Sequence, residues 1–144
     1  MLPLDCHRGH RLILALLSVL PLAIANLFAA ASYEDNKALA KHLKDLAKDH
    51  KKIVRVEKAA ETLAKNDVWR VELGNGSDEE RKQRPAMLVV AGAEGNDLAG
   101  AASAVAWIES LAKSYESDEK IRKLLDSTTI YVWPRLNPDA NRCH

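Results

Sequence analysis

A chain of 144 residues has room for one ordinary domain at most. Its 21 basic and 20 acidic side chains give a formal net charge of +1, a balance that excludes a general affinity for nucleic acid or an anionic membrane surface. Two cysteines, Cys6 and Cys143, lie close to opposite ends, so no disulfide framework is encoded.

The chain opens with a basic stretch containing Arg8 and Arg11, followed by an uncharged apolar run over residues 12–31 that ends in Ala29, Ala30 and Ala31. Basic start, apolar middle and small-residue end predict a secretory signal peptide over residues 1–31, with Ser32 or a near neighbour opening the mature chain. The rival reading is an uncleaved anchor, because roughly 20 apolar residues can span a bilayer. Pro21 and Asn26 interrupt that span. Either way the expectation is an exported protein, in contact with a membrane only if the segment is retained. Cys6 precedes the apolar run, whereas a lipoprotein cysteine follows it, so no lipid anchor is expected. Without residues 1–31, basic and acidic side chains are equal in number.

Residues 32–49 place Leu39, Leu43, Leu46 and Ala47 at helical spacing between lysines and acids, which predicts an amphipathic helix, with Ser32 and Asp35 at capping-box spacing. Residues 53–56 are short and β-branched and suit a strand. Residues 68–73 suit a second, with Trp69, Val71 and Leu73 on one face and Arg70 and Glu72 on the other. These two strands could pair as a hairpin. Residues 74–84 (GNGSDEERKQR) hold no apolar side chain and read as a solvated loop. The run 86–92 (AMLVVAG) has no polar side chain, the pattern of a strand covered on both faces of a parallel sheet.

A short loop over residues 94–97 leads into a helix over Leu98–Ser114, whose apolar stripe is Leu98, Ala102, Val105, Ile108, Leu111 and Ala112. Ser117 reads as the N-cap of a further helix carrying Ile121, Leu124 and Leu125. Residues 128–133 form a last strand, ended by Pro134. The order of elements implies an α/β fold with a mixed sheet, the strands at Ala86 and Thr128 being parallel neighbours joined by a helical crossover. Ligands of such sheets bind outside the carboxyl ends of strands, here residues 93–97 and 134–139.

Those two loops carry a resemblance. Residues 85–100 (PAMLVVAGAEGNDLAG) resemble the first metal-binding segment of the zinc carboxypeptidases, where a buried strand runs into H-G-N-E before a helix. Residues 135–140 (RLNPDA) resemble the family's N-P-D-G segment after the next strand. The opening helix and the stretch 60–73 fit the same order, so the resemblance covers residues 33–140. It implies a three-layer α/β sandwich with a mixed sheet, present here as the N-terminal, incomplete part of the domain over residues 32–144. It also implies zinc as the cofactor and peptide or protein C-termini as the substrate. In the family a histidine, a glutamate three residues on and a distant second histidine hold zinc, with water in the open position. Here the first two positions are Glu94 and Asp97. Replacing imidazole by carboxylate shifts a site toward harder ions. His144 is the sole histidine after Asp97 and is not assigned as the missing ligand. The family's downstream glutamate and carboxylate-binding arginines have no matched positions, and its glycine is Ala140. The expectation is a metallocarboxypeptidase relative that is inactive alone, or else an exported non-catalytic binding module of the same fold.

Each site residue also has a structural reading. Asp97 directly precedes a helix and suits an N-cap; metal contact is its second role. Glu94 suits a solvated loop first and a metal second. Gly92 and Gly95 serve backbone geometry, and Asn137 and Asp139 an Asx-type turn around Pro138. His42 and His50 lie too far apart on the polar side of the first helix to share one metal. Trp69, Trp107 and Trp133 read as core or cover residues.

Overall fold

A computed structural model describes residues 34–139. Residues 1–31, where a signal peptide is expected, and Ala140 lie outside the described residues. The elements run α1 (Asn36–Asp49), β1 (Val54–Glu61), β2 (Asp67–Leu73), α2 (Asp78–Gln83), β3 (Ala86–Val90), α3 (Leu98–Ser114), α4 (Glu119–Ser127) and β4 (Thr129–Trp133). The four strands form one mixed sheet in the order β1-β2-β4-β3, with β1/β2 and β2/β4 antiparallel and β3/β4 parallel.

Cross-strand partners share a face, so the register divides the sheet. On one side Val54 and Val56 meet Leu73 and Val71, which meet Ile130 and Val132, and Val132 meets Val89. This side packs on Leu39, Leu43 and Leu46 of α1, Ile108 and Leu111 of α3 and Leu125 of α4, making one core. The alternation of apolar and polar residues in β2 specifies this register, because a one-residue slip would turn Arg70 and Glu72 inward. The opposite side carries Arg55, Glu57, Arg70, Glu72, Tyr131 and Leu88. There the Arg70 guanidinium lies 5.0 Å from the Tyr131 ring centroid and 2.8 Å from Glu57. The helix α2 sits on this side, through a bond from Thr129 Oγ1 to the Arg81 carbonyl (2.9 Å).

Helix boundaries follow side-chain caps. Asp35 itself caps α1, accepting from the N–H groups of Lys37 (2.9 Å) and Ala38 (2.7 Å); the expected pairing with Ser32 lies outside the described residues. Asp118, not Ser117, caps α4, accepting from Lys120 and Ile121. Both corrections move the cap to an aspartate, whose charge also meets the positive end of the helix.

Two further expectations change. Residues 74–84 are not a plain loop: α2 forms there, opened by a capping box in which Ser77 accepts from the Glu80 N–H and Glu80 accepts from the Ser77 N–H. A helix without an apolar side chain gives no periodic signal, and this one is held by Arg81, buried among Glu72, Asp78 and the Gly76 carbonyl. The strand β3 is not covered on both faces. Met87, Leu88 and Val90 are 43%, 64% and 46% exposed, because β3 is the last strand of the described sheet.

Candidate functional site

Parallel pairing brings the carboxyl ends of β3 and β4 to the same side of the sheet, and the two loops that leave them are bonded together. Ala91 donates to the Trp133 carbonyl (2.9 Å), and Leu136 and Asn137 donate to the carbonyls of Ala91 (3.0 Å) and Gly92 (2.8 Å). Gly92 has φ +57°, and a Cβ there would stand 3.1 Å from the Arg135 Cα. The left-handed backbone favours glycine, and a side chain there would also crowd Arg135. The structure thus brings together the two loops that the sequence singled out.

Within the first loop, the Asp97 N–H donates to the Glu94 carbonyl (2.9 Å), closing a turn around Gly95 and Asn96. The Asp97 carboxylate caps α3, accepting from the Gly100 N–H at 2.8 Å. Gly100 makes room for that cap, since a Cβ at this position would fall 2.1 Å from Asp97 Oδ2. The Glu94 side chain is exposed and takes part in no ion pair among the described residues. Asp97 therefore performs its structural role, while Glu94 at the same turn has no side-chain partner among the described residues.

The second loop is pinned from two directions. Arg135, only 7% exposed, donates to Asn36 Oδ1 and to the Glu34 carbonyl, both at 2.8 Å, while Asn36 donates to the Pro138 carbonyl (3.0 Å). Burial lowers the pKa of Arg135, with Glu34 and Asp35 opposing that shift. Asp139 accepts from Thr62 Oγ1 (2.6 Å) and Asn66 Nδ2 (2.8 Å) at the tip of the β1–β2 hairpin. The Asp139 N–H donates to Asn137 Oδ1 (3.3 Å), which is the expected Asx turn. The N-P-D segment thus fastens the loop to α1 and to the hairpin.

His42 is not simply solvated. Its Nδ1 lies 2.9 Å from Glu34 and its Nε2 lies 2.7 Å from Glu109, bridging the segment before α1 to α3. The Lys113 ammonium lowers the Glu109 pKa by hydrogen bonding; partial burial opposes this and His42 adds to it. The sequence reading also missed Arg135 and Arg81, because burial of a charged side chain leaves no periodic trace. A cavity of about 310 Å³, lined by Arg55, Glu57, Arg70, Glu72, Arg81 and Tyr131, lies on the charged side of the sheet and includes neither Glu94 nor Asp97.

A catalytic zinc site needs three protein donors, most often imidazole with one carboxylate, plus an open position. The turn offers two carboxylates, one of them already accepting from a helix N–H. Among the described residues no group of three or more His, Cys, Asp or Glu side chains could hold a metal ion. The described residues do not by themselves complete a zinc site.

The profile of the zinc carboxypeptidases matches residues 39–140. The chain belongs to the zinc carboxypeptidase family. This zinc carboxypeptidase relative is 30% identical over 108 residues to carboxypeptidase M of Mus musculus, covering 75% of the chain and 24% of the relative. It is 28% identical over 108 residues to carboxypeptidase D of Anas platyrhynchos, covering 75% of the chain and 8% of the relative. The fold matches the crystal structure of thrombin activatable fibrinolysis inhibitor with a TM-score of 0.67 at 14% identity, over 75% of this chain and 26% of that one. It matches carboxypeptidase A of Helicoverpa armigera with a TM-score of 0.64 at 15% identity, over 82% and 30%. The chain therefore spans a quarter or less of these curated relatives, and the mixed α/β architecture is the carboxypeptidase one.

Proposed function

We propose that this chain carries the N-terminal part of a zinc carboxypeptidase domain, with Glu94 and Asp97 at the family's first two metal-ligand positions, and that it does not release C-terminal amino acids on its own. The observation that carries this reading is the engagement of Asp97 at the start of α3, which leaves Glu94 as the single uncommitted carboxylate of the turn. A lone carboxylate neither anchors zinc nor lowers the pKa of a bound water. Peptide or protein C-termini are the substrate class that family membership suggests for a completed domain. The basic start and apolar run of residues 1–31 support export.

The test is incubation of the chain with zinc and peptides ending in varied residues. No free C-terminal amino acid is expected. Release that disappears in Glu94→Ala would overturn the proposal.

A second reading, an exported non-catalytic binding module, is favoured by the closed core between α1, α3, α4 and the sheet. Its mark is a cooperative thermal transition of the chain by itself, which a segment dependent on the rest of a domain would lack.

A further inference from the structure

The loop between β2 and α2 offers the carbonyls of Gly74, Asn75 and Gly76 to arginines. Arg55 donates to the Gly74 carbonyl at 3.0 Å and to the Gly76 carbonyl at 3.3 Å. Arg81 also donates to the Gly76 carbonyl, and Arg84 donates to that of Asn75. The backbone of residues 74–76 therefore registers the start of α2 against the charged side of the sheet. Within this stretch lies an Asn-Gly pair. Of the asparagines in the sequence, Asn75 alone precedes a glycine. Gly76 has φ +100°, a backbone that favours glycine, so no Cβ shields its amide nitrogen. The Gly76 N–H donates to no group among the described residues. Asn75, in contrast, is held from three sides. Its N–H donates to the Leu125 carbonyl (2.9 Å), its carbonyl accepts from Arg84, and its Nδ2 donates to Asp126 Oδ1 (3.0 Å).

We propose that Asn75 is a site of self-modification, in which the Gly76 nitrogen closes on the Asn75 side chain and Asp126 sets the rate. The Gly76 nitrogen attacks Asn75 Cγ and forms a new C–N bond. The bond from Cγ to Nδ2 breaks, the Gly76 proton passes through solvent to the departing nitrogen, and ammonia leaves behind a cyclic imide. Water then opens the imide at either carbonyl, which gives aspartate or isoaspartate at position 75. Water is the only co-reactant. Asp126 restrains the first step, because a carboxylate accepting from Nδ2 pushes electron density onto the amide. Cγ becomes a poorer electrophile, and the side chain is kept in one rotamer.

The product removes the contacts that restrained it. Aspartate at 75 replaces a donor by a second carboxylate facing Asp126, and like charges at that distance repel. Isoaspartate also adds a methylene to the main chain ahead of the Gly76 carbonyl, drawing it away from Arg55 and Arg81. Either form loosens α2 from the sheet.

Incubation of the full chain at mildly alkaline pH, followed by peptide mapping with mass spectrometry and enzymatic methylation of isoaspartate, tests this. Both products are expected at position 75 ahead of every other asparagine, and faster in urea than in the native chain. Asp126→Ala should speed the native reaction about fivefold, the worth of one hydrogen bond. Asp126→Asn keeps an acceptor oxygen and should stay within about twofold of the parent rate. Asn75→Asp should lower the thermal transition by about 4 °C, and by less when Asp126→Asn is present. That melting cycle tests Asp126 independently of whether Asp126→Ala folds. Four results would overturn the proposal. They are no product at position 75, another asparagine reacting first, equal rates in Asp126→Ala and Asp126→Asn, and a melting loss in Asn75→Asp that Asp126→Asn does not reduce.

Discussion

The strands β1 and β3 bound the same described sheet and solve the same problem in opposite ways. The strand β1 carries Arg55, Glu57, Lys58 and Glu61, and its pairing with β2 shifts register between Lys58 and Ala60. Lys58 reaches Glu61 at 2.7 Å and Asp67 at 2.6 Å, so the outer strand ends in a small ion-pair net. Charge and irregularity together deny a neighbour a flat, dry template. The strand β3 is regular, uncharged and apolar on both sides. The comparison teaches that exposure alone does not distinguish a finished edge from one built to be covered. The chemistry of what is exposed does.

The comparison can be broken or sharpened by mutation, taking the largest effect first. The charged side of the sheet hangs on Arg81, so Arg81→Ala should destabilise the chain by about 3 kcal/mol, because it strands the mostly buried Glu72 carboxylate. Chemical denaturation would measure this, and a loss near zero would mean that α2 does not hold that side. Val54→Ala at the inner end of β1 should cost about 2 kcal/mol by removing two methyls from a fully packed site. Asp97→Ala should lower stability by about 1 kcal/mol through loss of the α3 cap, whereas Asp97→Asn should recover most of it. Recovery by Asn separates capping from metal binding, since zinc addition would then leave both melting curves unmoved. Leu88→Ala should change the stability of the monomer by less than about 0.5 kcal/mol, since the side chain is largely in water. A large loss at Leu88 in dilute solution would place β3 inside the core and remove the contrast with β1.

Much of this was legible in the sequence. The period of 3.6 at Leu39, Leu43 and Leu46, and the alternation at Val71 and Leu73, are the burial pattern itself, whereas at the start of β2 Val68 is buried and Trp69 only partly so. The two loops at Glu94 and Asn137 were placed together by strand order alone, because parallel neighbours end on one side of a sheet. What could not be read depends on long-range partners. The α2 helix has no apolar face, and its stability comes from Arg81 reaching Glu72 on a different element. The apolar run of β3 reports what the strand is suited to contact, and its covering on both faces was inferred from that suitability rather than from a neighbour. Arg135 and His42 have polar side chains, and only the fold shows that Glu34, Asn36 and Glu109 come to meet them.

The tie from Asp139 to the hairpin tip has a kinetic consequence. Its bonds to Thr62 and Asn66 close segments of 77 and 73 positions, which a disordered chain can bring together only at a considerable loss of freedom. On that ground they are expected to form after β4 has joined β2, and Asp139→Ala is expected to speed unfolding more than it slows folding, which stopped-flow kinetics would check.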